Sequence, residues 1–71
     1  MSPEKLARMA NQIATFFRAQ PAEDRAALVA KHLNDFWEPR MRRQLLELVQ
    51  AGHADLDPLV VAAAGRMRAP A

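Results

Sequence analysis

The sequence has no cysteine, no tyrosine and only two glycines among its 71 residues. The absence of cysteine excludes a disulfide framework and fits the reducing cytoplasm. Long hydrophobic runs are also absent, since the longest, residues 59–64, is far shorter than the roughly 20 residues that cross a bilayer. The N-terminal segment carries Arg8, Asn11 and Gln12, which do not suit a signal peptide. We therefore expect a soluble, cytoplasmic protein with no membrane partner.

Side chains that commonly carry catalysis or bind metals are scarce. Ser2 and Thr15 are the only hydroxyl side chains, and the only histidines, His32 and His53, lie on different predicted elements. A metal site needs three or four converging ligands, and covalent catalysis needs a nucleophile beside a base. We therefore expect that the chain is not an enzyme by itself and binds no metal or cofactor alone. His32 is then a partly buried polar group, and His53 is a loop residue.

The charge balance gives little support to nucleic-acid binding. The net charge is +2, from 10 basic and 8 acidic residues that are interspersed along the chain. A dedicated duplex-binding protein usually has a denser basic face. We therefore expect a protein partner and no nucleic acid.

The length predicts one small domain over residues 1–71. Domains of this size without a disulfide or a bound metal have little stability to spare, because the core that they can bury is small. We expect the isolated chain to be weakly stable or to self-associate, and a partner to complete its core.

The apolar pattern predicts an all-α fold, a small bundle of three helices with a short C-terminal fourth helix. Apolar residues recur at helical spacing over residues 3–18, 21–36, 39–51 and 58–67, and no segment alternates as a strand does. Ser2 and Asp57 are expected N-caps, and Gly52 is expected to end the third helix in a left-handed conformation. The fourth helix is expected to serve as a cap or as a partner-facing arm, and residues 68–71 to fray.

The chain is organised around a corner segment, residues 36–43, where the second predicted helix ends and the third begins. Pro39 suits the first position of a helix and biases Glu38 away from helical angles. The segment also places Arg40, Arg42 and Arg43 near a helix N-terminus, where the macrodipole disfavours cations. An anionic partner, internal or external, would remove this penalty, and we favour an acidic surface or a phosphate.

Two aromatic pairs, Phe16-Phe17 and Phe36-Trp37, each set two large rings about 100° apart on a helix. One member of each pair is expected in the core. The other either widens the buried face or forms an exposed anchor for a partner, because tryptophan and arginine are frequent in interface hot spots. Both alternatives stay open on the sequence alone.

A small helical nucleic-acid-binding or regulatory protein is the alternative function. In that case the third helix would be the recognition helix, with its arginines reaching base edges. Asp35, Glu38 and Glu47 argue against it, because they would meet phosphates unfavourably.

Several of these residues together resemble a known family. The run Arg-Met-Ala-Asn-Gln-Ile-Ala at 8–14, the pair at 16–17, His-Leu at 32–33, and Phe-Trp-Glu-Pro-Arg-Met-Arg at 36–42 resemble the delta subunit family of NAD-dependent, molybdenum-containing formate dehydrogenases. The likeness extends over about residues 6–67. It implies an accessory subunit of a cytoplasmic complex that oxidises formate to carbon dioxide and reduces NAD.

The resemblance also implies where the chemistry lies. Other chains of the complex would carry bis-molybdopterin guanine dinucleotide, iron–sulfur clusters and FMN, while the delta subunit helps the large subunit to acquire or retain its molybdenum cofactor. We expect the corner segment to bind the molybdenum-containing subunit through apolar contacts and through arginines that pair with acidic groups. The expected partner-binding residues are Phe36, Trp37, Pro39, Arg40, Arg42 and Arg43.

Overall fold

Four α-helices make up the fold. The computed structural model describes residues 1–67, and its helices are α1 (Pro3–Arg18), α2 (Arg25–Phe36), α3 (Pro39–Gln50) and α4 (Pro58–Ala64). Residues 1–67 contain no strand. The predicted all-α class, with three longer helices and a short fourth, is confirmed. The prediction that residues 68–71 fray lies outside the described residues.

Side-chain caps set the starts of α1 and α4 where the sequence predicts them. The Ser2 hydroxyl accepts a hydrogen bond from the Lys5 amide at 3.2 Å, and the Asp57 carboxylate accepts one from the Leu59 amide at 2.8 Å. A proline follows each cap, and its missing N–H costs nothing in a first turn.

Two predicted boundaries need correction. The second helix begins at Arg25 and not at Pro21, because Asp24 takes a non-helical conformation and its carboxylate accepts from the Ala27 amide at 3.1 Å. A capping carboxylate satisfies a free amide, which a proline cannot do. The fourth helix ends at Ala64 and not near residue 67, and the chain passes through a turn at Gly65.

The end of α3 is a Schellman motif, which confirms the predicted role of Gly52. Gly52 has a φ of +70°, in the left-handed region that favours glycine. Its amide donates to the Val49 carbonyl and the His53 amide donates to the Leu48 carbonyl, both at 3.1 Å. The chain therefore turns sharply toward α4.

All four helices contribute to one core. The largest fully buried side chains come from α1, α2, α3 and α4, and they are Leu6, Val29, Leu33, Leu45 and Val60. Alanines of α1 and α4 are buried beside them, which allows close approach of the helices. The short α4 packs against each of the other three helices. It is therefore part of the core, as the alternative of a cap predicts, and it is not an arm detached from the bundle.

Asn11 fixes the loop between α3 and α4 to α1. Its side-chain amide donates to the Asp55 carbonyl at 2.7 Å, and its side-chain oxygen accepts from the Asp57 amide at 2.9 Å. Both donor and acceptor of one amide side chain are thus used on a single stretch of backbone. This explains one polar residue inside the motif of residues 8–14.

Two ion pairs tie the region around α4 to α1 and to the start of α2. Arg18 pairs with Asp57 before α4, and Arg66 pairs with Asp24 after it. The hydrogen bond from Arg18, and then that from the Leu59 amide, lower the pKa of Asp57. Arg66 and then the Ala27 amide lower the pKa of Asp24 in the same way. Each aspartate is therefore both a helix cap and a partner of an arginine.

We predict that the free energy of unfolding falls as the pH drops below about 4, the ordinary pKa of aspartate. Because the folded-state pKa values of Asp24 and Asp57 are depressed, their contribution is present above the unfolded pKa and is lost as the pH falls through the folded values. Urea unfolding at several pH values measures this. Asp57→Asn should flatten the acid slope, since asparagine can still cap α4.

The matched control is Asp55→Asn, because the Asp55 side chain forms no ion pair within residues 1–67. An acid slope of Asp57→Asn equal to that of the wild type would contradict the assignment.

We also predict that Asn11→Ala lowers the free energy of unfolding by about 1–3 kcal/mol, because it removes a donor and an acceptor from the loop backbone. Gln12→Ala, on the exposed side of the same helix, should change it by less than about 0.5 kcal/mol. Urea denaturation at pH 7 compares the two. Equal losses would show that the contacts of Asn11 add nothing to stability.

Candidate functional site

The corner segment forms as a tight bend between α2 and α3. The Trp37 amide closes the last turn of α2 by donating to the Leu33 carbonyl at 3.1 Å. Trp37 and Glu38 then take extended angles, and Pro39 opens α3. Glu38 occupies the N-cap position without a side-chain cap bond. The predicted bend at Glu38-Pro39 is therefore confirmed.

Trp37 points inward. Only 7% of the residue is exposed, and it belongs to the buried core together with residues of all four helices. The expectation that Trp37 offers its indole as an exposed anchor is corrected by this placement. The physical reason is the extended backbone at position 37, which departs from the helical direction that Phe36 still follows.

Arg42 also lies inside the chain, and it finds an internal partner. It is 9% exposed, and its Nη1 atom donates to the Trp37 carbonyl at 2.6 Å and to the Asn34 carbonyl at 3.5 Å. These carbonyls belong to the C-terminal end of α2, the negative end of its dipole. The Nε atom is buried without a hydrogen-bond partner among the described residues. Arg42 therefore has acceptors inside the chain, and its pairing with acidic groups of a partner stays a prediction.

The other predicted partner-binding residues lie on the surface. Phe36 is 74% exposed, and Pro39, Arg40 and Arg43 are exposed beside the bend. Arg43 already has an interaction inside the chain. The six predicted residues thus divide into a buried pair and four surface residues. Partner binding by the surface residues stays a prediction.

An aromatic ladder crosses from α1 to α2. The Phe16 and Phe17 rings meet edge to face with centroids 5.1 Å apart, and the Phe17 and His32 centroids are 5.9 Å apart. The His32 and Phe36 rings follow at 4.8 Å. Phe17 and His32 are half-buried, whereas Phe16 is 60% exposed. The ladder therefore ends in an exposed phenylalanine on each helix.

The sequence indicated the aromatic pairs Phe16-Phe17 and Phe36-Trp37, but not that rings of α1 and α2 form one surface. The spacing of four between His32 and Phe36 indicates neighbours on a helix. The contact between Phe17 and His32 joins two helices, and no local pattern predicts it. His32 is half-buried, as expected, and its ring fills the space between two phenylalanines.

A groove of about 400 Å³ opens beside the ladder, and we call it the aromatic groove. Most of its lining is apolar, and the residues are Met9, Gln12, Ile13, Phe16, Phe17, His32 and Trp37. A hollow of about 180 Å³ adjoins it through Phe17 and His32 and reaches Phe36. The buried Trp37 thus contributes to the surface as part of the groove wall.

A larger hollow of about 600 Å³ lies along the polar side of α1. It shares Gln12 with the aromatic groove and includes Arg8, Asn11 and Asp55. Asn11 is already committed to the loop backbone. One side of the hollow is therefore formed by the structural contacts of Asn11, and the other side carries the exposed cation of Arg8.

The two hydroxyl side chains, which are potential catalytic groups, have structural roles. The Ser2 hydroxyl caps α1, and the Thr15 hydroxyl donates to the Asn11 carbonyl one turn earlier at 2.9 Å. Within residues 1–67, no three histidines or carboxylates come together as a metal site would require. No helix in that range has the length and apolar character needed to span a bilayer.

Comparison with known proteins agrees with the resemblance in the motifs. A family model described as the NADH-dependent formate dehydrogenase delta subunit FdsD matches residues 5–64. The match begins in the first turn of α1 and ends with the last residue of α4, so it includes α2, α3 and α4 in full and all but the first two residues of α1. No curated protein matches the chain.

We predict that Arg42→Ala lowers the free energy of unfolding by about 1–3 kcal/mol, because the buried Trp37 carbonyl loses its donor. The adjacent control is Arg40→Ala, whose side chain is exposed and forms no ion pair within residues 1–67. It should change stability by less than about 0.5 kcal/mol. Thermal and urea unfolding compare both. Equal stabilities of the two variants would show that Arg42 does not stabilise the bend.

Proposed function

Because the chain belongs to the family of NADH-dependent formate dehydrogenase delta subunits, we propose that it is a non-catalytic accessory subunit of a cytoplasmic formate dehydrogenase complex. The observation that carries the proposal is the family match over residues 5–64, which includes α2, α3 and α4 in full and all but the first two residues of α1. The catalytic chemistry, in which formate loses two electrons that reduce NAD, belongs in this proposal to other subunits.

The composition of the chain supports the assignment of the catalytic chemistry to other subunits. Bis-molybdopterin guanine dinucleotide, iron–sulfur clusters and FMN are assigned to the partner subunits. An iron–sulfur cluster is normally held by cysteine thiolates, and this sequence has none. The two hydroxyl side chains serve the backbone of α1, as described above.

The proposed role is to stabilise the molybdenum-containing subunit and to aid insertion or retention of its cofactor. Two properties support such a role. The fold is braced by ion pairs and by Asn11, so it can present a surface of fixed shape. It also leaves two phenylalanines on its surface, Phe16 and Phe36, which a monomer gains nothing by exposing.

Deletion of the gene for this chain tests the proposal. We expect a lower yield of the assembled complex or less molybdenum per complex, because an unsupported large subunit would lose or fail to acquire its cofactor. Molybdenum analysis and formate-dependent NADH formation per complex measure this. Re-expression of the wild-type chain should restore both values.

Two outcomes would contradict different parts of the proposal. Normal yield, molybdenum content and turnover without the chain would refute both the stabilising and the maturation role. Normal molybdenum content in a complex that dissociates faster on dilution would support stabilisation and refute maturation.

A further inference from the structure

We infer that the outer face of α2 binds a second copy of this chain, so that the free chain forms a two-fold dimer in which the Phe36 ring of each copy enters a hollow on the other. The inference goes beyond the proposed function and does not depend on it. It assigns a surface to the self-association that a small core leads us to expect.

The first support is that α2 carries a protruding ring and a hollow next to each other. Phe36 is 74% exposed, against 60% for Phe16. The hollow has a volume of about 180 Å³, and its lining residues are Phe17, Leu28, Lys31, His32, Asp35 and Phe36. A two-fold interface brings the same patch of both copies together, so a patch that has both a knob and a hole can bind its own equivalent.

The spacing along α2 gives the register of such a pair. Leu28, His32 and Phe36 follow one another at a spacing of four, so they form one row along the helix. When two α2 helices lie antiparallel with the two-fold axis at the level of residue 33, residue 36 of one copy lies at the level of residue 30 of the other. This level is between Leu28 and His32, which both line the hollow. Each Phe36 ring therefore packs as a knob into a hole of the facing helix.

The second support is the charge beside this row. Lys31 and Asp35 are the two charged residues that line the hollow, and they form a neighbouring row at the same spacing of four. A two-fold axis perpendicular to both helices keeps equivalent rows on the same side of the interface. With the axis at the level of residue 33, Lys31 of each copy lies opposite Asp35 of the other.

The patch is therefore complementary to itself in charge. Lys31 and Asp35 already pair within one copy at 2.7 Å, and the dimer adds contacts of the same two residues between copies. A partner segment with charges of a single sign would meet either Lys31 or Asp35 unfavourably. The second copy fits both, which is why we assign it to this surface.

The size of the patch limits the strength of the dimer. The row from Leu28 to Phe36 spans about 12 Å of helix. A stable dimer buries about 800 Å² on each partner, a large share of a chain whose whole surface is 4570 Å². We therefore expect a dimer that dissociates on dilution.

Sedimentation equilibrium of the full chain over a wide range of concentrations tests the inference. The average mass of the wild type should rise from that of one chain, 7.9 kDa, toward twice that value as the concentration increases. Phe36→Ser should weaken dimerisation at least about tenfold, because the ring that fills the hollow is lost. The matched control is Val61→Ser, an apolar residue 44% exposed on α4 that does not line the hollow. It should dimerise as the wild type does.

Charge reversal tests the antiparallel register. Lys31→Asp alone and Asp35→Lys alone should each weaken the homodimer, because like charges then face each other across the axis. An equimolar mixture of these two variants should form a heterodimer, since every charge then faces its opposite. A chain with both substitutions should dimerise as the wild type does, and far-UV circular dichroism should show the same helix content for all variants because the altered side chains are exposed.

Three outcomes would overturn the inference. The first is a wild-type chain that stays monomeric at every concentration, and the second is a dimer that Phe36→Ser leaves unchanged. The third is a mixture of the two charge variants that associates no better than either variant alone. A monomeric wild type whose Phe36→Ser variant is lost from the purified complex would assign the surface to another subunit and leave the proposed function standing.

Discussion

The bend between α2 and α3 depends on a guanidinium group enclosed by the protein. Arg42 lies near the start of α3, where a cation is unfavourable for that helix, yet its Nη1 atom reaches carbonyls at the end of α2, where a cation is favourable. The negative end of one dipole thus compensates the positive end of the next. Since these carbonyls have no partner within α2, the same contact satisfies buried backbone acceptors. The bend in turn sends Trp37 into the core and leaves Phe36 outside.

The short fourth helix shows how a chain without disulfides keeps a small core closed. Seven residues bury too little to hold a helix by themselves. The Schellman turn at Gly52, the Asn11 contacts with the loop, and the ion pairs of Asp57 and Asp24 together set where α4 can lie. These polar contacts stand at the ends of helices, while the apolar contacts lie between them. Local polar groups thus determine the geometry that the apolar core then fills.

Local signals predicted most of the helix boundaries. Ser2, Pro39 and Asp57 each act on their own few residues, so the sequence was sufficient for them. The predicted start of α2 was wrong because Pro21 and Asp24 are both plausible starting signals. Only the hydrogen bond that the Asp24 carboxylate accepts from the Ala27 amide decides between them. The geometry of the candidate site was harder to predict from the sequence. The direction of Trp37 depends on two extended residues, and the contact of Phe17 with His32 depends on how two helices cross.

The buried positions of Trp37 and Arg42 change the argument for binding without removing it. A partner gains little from a residue that the chain already encloses, so the energy of an interface must come from side chains that are still exposed. Phe36 belongs both to the corner segment and to the ladder, and it connects the two surfaces through His32. Trp37 contributes as the rigid wall behind that ladder. The first role of the corner segment is therefore structural, because it holds the aromatic surface in shape. The sequence motif of this segment is thus explained by the fold as much as by binding.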